Sequence, residues 1–172
     1  MVKIGNIQGT RGALFERANK KYLLYTLPFL FADIEQAKRL IRSGFGEKIN
    51  QGAKANGFYV PVTGVAGGFR QFTNNVRPIA TPDDMKGLKM RTPPIDSIIR
   101  TMTALGANPQ QVPYGETYMA LKTNVVDGQE NPCSNIAEMK FYEVQKYFTE
   151  VNYQIHPDPF FVSPAWYEAL PT

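Results

Sequence analysis

The stretch between residues 81 and 127 constrains the fold most, because apolar runs of strand length alternate there with runs of helical period. Thr81 stands as a helix N-cap with Pro82 in the first helical position, where proline's missing N–H is not needed and its φ is already helical. Gly87 ends that short helix, and Leu88-Lys89-Met90-Arg91 reads as a strand. Pro93-Pro94 closes the strand and opens a helix in which Ile95, Ile98, Ile99, Met102 and Leu105 form one apolar stripe. Gly106 stops the helix. Residues 110–113 read as a second strand, 116–123 as a helix capped by Asn124, and Val125-Val126-Asp127 as a third strand. Strand, helix, strand, helix, strand with short links is the order of a parallel sheet covered by helices, an α/β fold.

The rest of the chain is less regular. At 172 residues it allows one domain or two small ones and can bury a sizeable core. With 43% hydrophobic and 20% charged residues it is neither a disordered tail nor a coiled coil. Its longest apolar run, residues 27–31, is broken by Pro28 and far short of the ~20 residues of a membrane helix. Residues 10–22 read as a helix with Leu14, Phe15 and Ala18 on one face, followed by an extended segment at 27–31. Asp33 with Gln36 has capping-box spacing, and Ile34, Ala37, Leu40 and Ile41 follow at helical intervals. A second helix runs from Ser43-Gly44 to a C-terminal Gly57. Residues 58–63 have strand composition and lead into Gly64-Val65-Ala66-Gly67-Gly68, where a domain boundary or hinge is expected near residue 65, before a short strand at 69–73. Residues 138–147 read as helical, 149–155 as extended and 157–171 as irregular.

In open parallel sheets, ligands bind beyond the carboxyl ends of the strands. Arg91 ends the first strand, Tyr114 follows the second, and Gln129-Glu130-Asn131 follows the third, so the topology brings them to one rim. A guanidinium, a phenol and a carboxamide suit a small anion, and arginine's planar fork matches a carboxylate with two parallel hydrogen bonds. Each residue has a plainer alternative. Arg91 equally suits a surface acid, Tyr114 packing beside Pro113, Asn131 a turn or cap before Pro132, and Arg70 a solvated position after the glycines. Asp127 and Glu130 suggest paired carboxylates, but Asp-Gly-Gln-Glu-Asn-Pro has the composition of a turn and is expected to be one. Catalytic motifs are scarce. There is one histidine, His156, and one cysteine, Cys133, with no nucleophile elbow, no phosphate loop, no dinucleotide fingerprint and no metal-ligand spacing. No cofactor or metal is expected. Basic residues exceed acidic ones, 19 to 15, but they are spread along the chain rather than gathered as a nucleic-acid surface requires.

Several segments occur together in a specific order: Gly68-Phe69-Arg70 with Thr73-Asn74, Arg77-Pro78-Ile79, and Asp84-Met85-Lys86-Gly87-Leu88-Lys89-Met90-Arg91. Ala104-Leu105-Gly106-Ala107-Asn108-Pro109 and Glu116-Thr117-Tyr118-Met119-Ala120-Leu121 follow. Then come Val126-Asp127-Gly128-Gln129-Glu130-Asn131-Pro132 and Lys140-Phe141-Tyr142-Glu143-Val144-Gln145-Lys146-Tyr147. From about residue 22 onward the chain resembles the DctP-type solute-binding subunits of tripartite ATP-independent periplasmic (TRAP) transporters. The resemblance implies a two-lobed, type II periplasmic-binding-protein fold with parallel sheets flanked by helices. It implies a protein that closes on an organic acid and hands it to membrane permease subunits. Arg91 matches the family arginine that pairs with the ligand carboxylate, and Asn131 the asparagine at the same end of the ligand. Tyr114 falls at an aromatic ligand contact, Arg70 at a second basic position and Pro94 at a further pocket position. Lys122 departs from the usual glutamine, and the chain is shorter than its family at both ends, so residues 1–67 with 157–172 are expected to be a partial lobe one and 68–156 lobe two.

The expectation is thus a carboxylate-binding transport subunit that is not an enzyme. Its partners would be a small-molecule carboxylate and the permease subunits, not nucleic acid; the sequence leaves the oligomeric state open. The competing class is a small α/β enzyme with Arg91 as substrate clamp, and a nucleic-acid binder is third. Residues 1–5, Met-Val-Lys-Ile-Gly, lack the apolar stretch of a signal peptide, which fits a cytosolic chain or one without its leader. The resemblance implies the periplasm.

Overall fold

The computed structural model describes residues 9–11 and 15–171. In chain order its elements are β1 (Gly9–Arg11), α1 (Phe15–Ala18), α2 (Ile34–Ile41), α3 (Gly44–Gly52), β2 (Tyr59–Asn74), β3 (Lys89–Thr92) and α4 (Asp96–Ala104). They continue as β4 (Asn108–Gln111), α5 (Thr117–Lys122), β5 (Gly128–Pro132), α6 (Cys133–Glu138), β6 (Tyr147–Thr149), β7 (Ile155–Val162) and α7 (Pro164–Glu168). The chain divides into two compact units, Met1–Ala66 with Ile155–Thr172, and Gly67–Gln154. No helix among the described residues is long and apolar enough to cross a membrane.

The first unit is built on β1, β7 and the first half of β2. β1 pairs antiparallel with β7, with Thr10 opposite Phe161, and β7 neighbours β2. Its core contains Phe15, Ala18, Tyr22, Tyr25, Ile49, Ile155 and Phe161, all buried. Residues 10–22 are not the single helix expected. Thr10 is held in a strand ladder, Asn19 is extended at φ −162°, and its side chain accepts from the Lys21 N–H at 3.0 Å to cap a 3-10 turn, Lys20–Thr26. Leu14 of that expectation lies outside the described residues. Residues 27–31 form a bend rather than an extended run, with Phe29 in the left-handed region at φ 57°. α2 begins as its sequence dictates: the Asp33 carboxylate accepts from the Gln36 N–H at 2.7 Å, and the Gln36 side-chain Oε1 accepts from the Ala32 N–H at 2.8 Å. Gly57 closes the last turn at φ 79°. The segment expected to be irregular contains β7 and α7. Ile155, Pro157, Pro159 and Phe161 alternate on its buried face, a strand period that the prolines mask in the sequence.

The second unit is a mixed sheet with helices. β3 lies between β5 and β4 and is parallel to both. The second half of β2 pairs antiparallel with β5 and with β6. The parallel order expected from residues 81–127 therefore holds for β4, β3 and β5, with β4 at the edge, and the long β2 adds antiparallel pairing. β2 passes straight through the glycines, with Gly67 and Gly68 at φ 68° and 91°, conformations glycine adopts without a Cβ penalty. One face of the sheet carries a core of Phe72, Met85, Leu88, Met90, Met102, Ala107 and Tyr153. A second cluster joins Ala120, Leu121, Val126, Ile136 and Phe141.

Three elements sit away from their expected places. β5 begins at Gly128, not at Val125, because Val126 is claimed by the helix-side core and Gly128 is the close approach: a Cβ there would meet Met90 Sδ at 2.8 Å. β4 begins at Asn108, whose N–H donates to the Leu88 carbonyl at 2.8 Å. The helix expected at 138–147 is instead α6 followed by a 3-10 turn, Phe141–Glu143, because Lys140 turns left-handed at φ 53° between them.

Candidate functional site: a buried arginine on a strand face

The register of the second unit decides which side chains meet. Arg91 on β3 lies opposite Gln129 on β5, and Gln129 lies opposite Thr73 on β2. With a period of two, Arg91, Gln129, Asn131 and Thr73 share one face, while Glu130, opposite Phe72, belongs to the other. Glu130 was expected in a turn. It is instead fully buried within β5, so the polar run 129–131 is strand rather than the loop after one.

Arg91 is 2% exposed. Its Nε donates to the Val112 carbonyl at 2.9 Å, and its guanidinium carbon lies 5.8 Å from the Tyr114 ring centre. Among the described residues no carboxylate comes within ion-pair distance of it. Burial pulls its pKa down to about 10, against the field of Glu130, so it remains a cation at neutral pH. A buried cation is costly unless paired.

Arg70 is equally buried but differently placed. Its Nε and Nη2 grip the Glu130 carboxylate, the latter at 2.7 Å, and Nη2 also donates to the Glu130 carbonyl at 2.9 Å and to Asn131 Oδ1 at 3.2 Å. The Tyr153 hydroxyl donates to the same carboxylate at 2.6 Å. Burial opposes the Arg70 charge, but Glu130 and Tyr153 outweigh it and raise its pKa, while burial and then Glu130 drive the Tyr153 pKa well up. Arg70 is thus charge-compensated from within, and the solvated reading of this residue is corrected.

The remaining expected residues are placed as follows. Asn131, 4% exposed, donates from Nδ2 to Gln129 Oε1 at 2.6 Å. Tyr114 opens a 3-10 turn after β4, packs edge-on to Phe141 and accepts at its hydroxyl from Asn135 Nδ2 at 3.0 Å. Pro94 lies exposed in the link from β3 to α4 and shares no hydrogen bond with this group among the described residues. Glu130, Gln129, Thr73 and Tyr153 were not singled out as a group by the sequence. No local signal marked them: residues 127–131, Asp-Gly-Gln-Glu-Asn, hold no apolar residue to alternate and have the composition of a turn. Among the described residues no cluster of three or more His, Cys, Asp or Glu is placed to hold a metal ion. The arrangement offers N–H donors to an anion.

Residues 1–172 match the family described as bacterial extracellular solute-binding protein, family 7 (DctP). The chain belongs to this family. The family's C4-dicarboxylate-binding periplasmic protein DctP of Vibrio cholerae is 39% identical over 160 residues, covering 91% of this chain and 47% of its own length. A solved TRAP periplasmic solute binding protein from Shewanella oneidensis, with bound succinate, is 33% identical at TM-score 0.92 over 99% of this chain and 56% of its own. Another, from Desulfovibrio salexigens with bound orotic acid, is 35% identical at TM-score 0.91 over 99% of this chain and 55% of its own. The chain spans about half the length of these relatives.

Proposed function

We propose that this chain is the carboxylate-capturing part of a TRAP-transporter solute-binding subunit, working outside the cytoplasmic membrane and passing an organic acid to membrane permease subunits. In this reading Gly67–Gln154 is the lobe that holds the ligand carboxylate, and Met1–Ala66 with Ile155–Thr172 is part of the other lobe. Arg91 pairs with the carboxylate, Asn131 donates an amide N–H to it, and Tyr114 packs against the carbon skeleton. Pro94 borders the ligand, and Arg70 acts through Asn131 rather than on the ligand directly. The carrying observation is the buried Arg91 guanidinium, which among the described residues has no carboxylate partner. Family membership supports binding over catalysis, and the succinate and orotic acid bound to the two solved relatives support a carboxylate as the ligand class.

The test is thermal melting of the chain with sodium succinate, orotate and galactonate. A ligand at 100 times its Kd adds about 2.7 kcal/mol, which for a chain of this size raises Tm by about 5–10 °C. At least one acid should do so, with no new product detected on prolonged incubation. Melts unchanged by every acid, or turnover of a bound one, contradict the reading.

A further inference from the structure

Asn131 is the end of a chain of hydrogen bonds whose direction is forced at both ends. Gln145 Nε2 faces two groups that can only accept, the Val144 carbonyl at 3.1 Å and the Asp127 carbonyl at 3.4 Å. Its Oε1 must therefore be the atom that takes the Thr73 hydroxyl proton, at 2.8 Å. With its proton spent, Thr73 Oγ1 accepts from Gln129 Nε2 at 2.9 Å. Gln129 Oε1 is then left to accept from Asn131 Nδ2 at 2.6 Å. At the far end Arg70 Nη2, which can only donate, fixes Asn131 Oδ1 at 3.2 Å. Thr73, Gln129 and Asn131 are 3%, 0% and 4% exposed, so water has little room to reverse the links among these three.

We propose that Thr73, Gln129 and Gln145 are positioning residues that lock the amide of Asn131 in one orientation, so that the strand row beside Arg91 offers an N–H and not a carbonyl. This rests on the proposed carboxylate site and adds what sets its polarity. Flipping Asn131 would put its NH₂ against the Arg70 guanidinium, donor against donor, and its carbonyl against Gln129 Oε1, acceptor against acceptor. The amide therefore acts as a fixed dipole beside the cation. It favours an ionised carboxylate and disfavours the neutral amide of the same shape, because an unpaired buried donor is expensive.

Two variants break the lock at different places. Thr73→Val keeps shape and removes the hydroxyl. Gln145→Leu, at a half-buried position, releases the Thr73 proton to turn toward Gln129. Side-chain amide NMR of the unliganded chain reads the lock without any ligand: Asn131 and Gln129 NH₂ protons should exchange slowly in wild type and at least tenfold faster in both variants. Thr73→Ser should restore slow exchange. Calorimetry with succinate and its monoamide, succinamate, reads the consequence. Wild type should prefer succinate, and both variants should lose about tenfold in succinate affinity while the preference narrows. Equal exchange in wild type and variants overturns the lock, whether or not the acid binds. Slow exchange with unchanged succinate affinity and preference in the variants overturns its role in recognition. Failure of wild type to bind either probe, with the exchange pattern intact, counts against the carboxylate site and leaves the lock standing.

Discussion

Arg70 and Arg91 are both buried in one small sheet, and burial opposes the charge of each; what differs is the partners around them. Arg70 has Glu130 and Tyr153 around it and needs nothing further, whereas Arg91 has a carbonyl and an aromatic ring but, among the described residues, no acid. Removing one partner of a buried ion pair costs about 3–5 kcal/mol, while replacing both with apolar groups of similar volume is often close to neutral. Urea denaturation should therefore show Glu130→Ala destabilised by about that amount and the double variant Arg70→Met with Glu130→Leu much less affected. A single-variant loss below about 1 kcal/mol, the usual worth of an exposed pair, would mean that the pair is not sealed from water. Arg91 was legible in the sequence because a strand end has a defined place in an α/β sheet. Glu130 was not, since its neighbours Gly128, Asn131 and Pro132 are turn formers and only the ladder with β2 makes them a strand.

At the scale of elements, β5 depends on a missing side chain. A Cβ on Gly128 would press on Asn74 Cβ and Met90 Sδ, each at 2.8 Å, and on the Thr73 backbone. Gly128→Ala should cost at least about 1–3 kcal/mol, as overpacking does. Gly115, which has nothing within 4 Å of the corresponding point, should accept alanine within about 0.5 kcal/mol. Equal effects at the two positions, measured by urea denaturation, would contradict the register. Elements whose signals are local were readable: α2 through its Asp33 cap, α4 through its apolar stripe, and the turn at Gly57 through its left-handed glycine. β1, β6 and β7 are held by partners distant in sequence, and no local pattern announces them. The sixteen-residue β2 was read as two strands because glycines usually end one.

For the whole molecule, buried tyrosines set an alkaline limit. Burial pushes Tyr22 and Tyr25 up to about 12 in the first unit and raises Tyr153 in the second. Unfolded tyrosine titrates near 10, so the unfolded chain releases these protons first. The stability is complete below pH 10 and falls as pH rises from 10 to about 12. Urea midpoints should be flat from pH 7 to 9 and drop steeply above 10. The double variant Tyr22→Phe with Tyr25→Phe should drop less steeply, and an identical slope would place the alkaline limit elsewhere. The change of unit at Ala66–Gly67 falls where the composition turns to glycine. The return of Ile155–Thr172 to the first unit depends on pairing between β1 and β7, invisible to any window on the sequence.

All of these scales meet in Arg91. Calorimetric titration of succinate into wild type, Arg91→Ala and the control Arg100→Ala, whose exposed side chain pairs with Asp96, tests it most directly. A carboxylate left unpaired in the site costs about 3–5 kcal/mol, or about two to three and a half decades of affinity. The account predicts that loss for Arg91→Ala and wild-type affinity for Arg100→Ala. An Arg91→Ala affinity within about threefold of wild type, a difference of less than 1 kcal/mol, would contradict it.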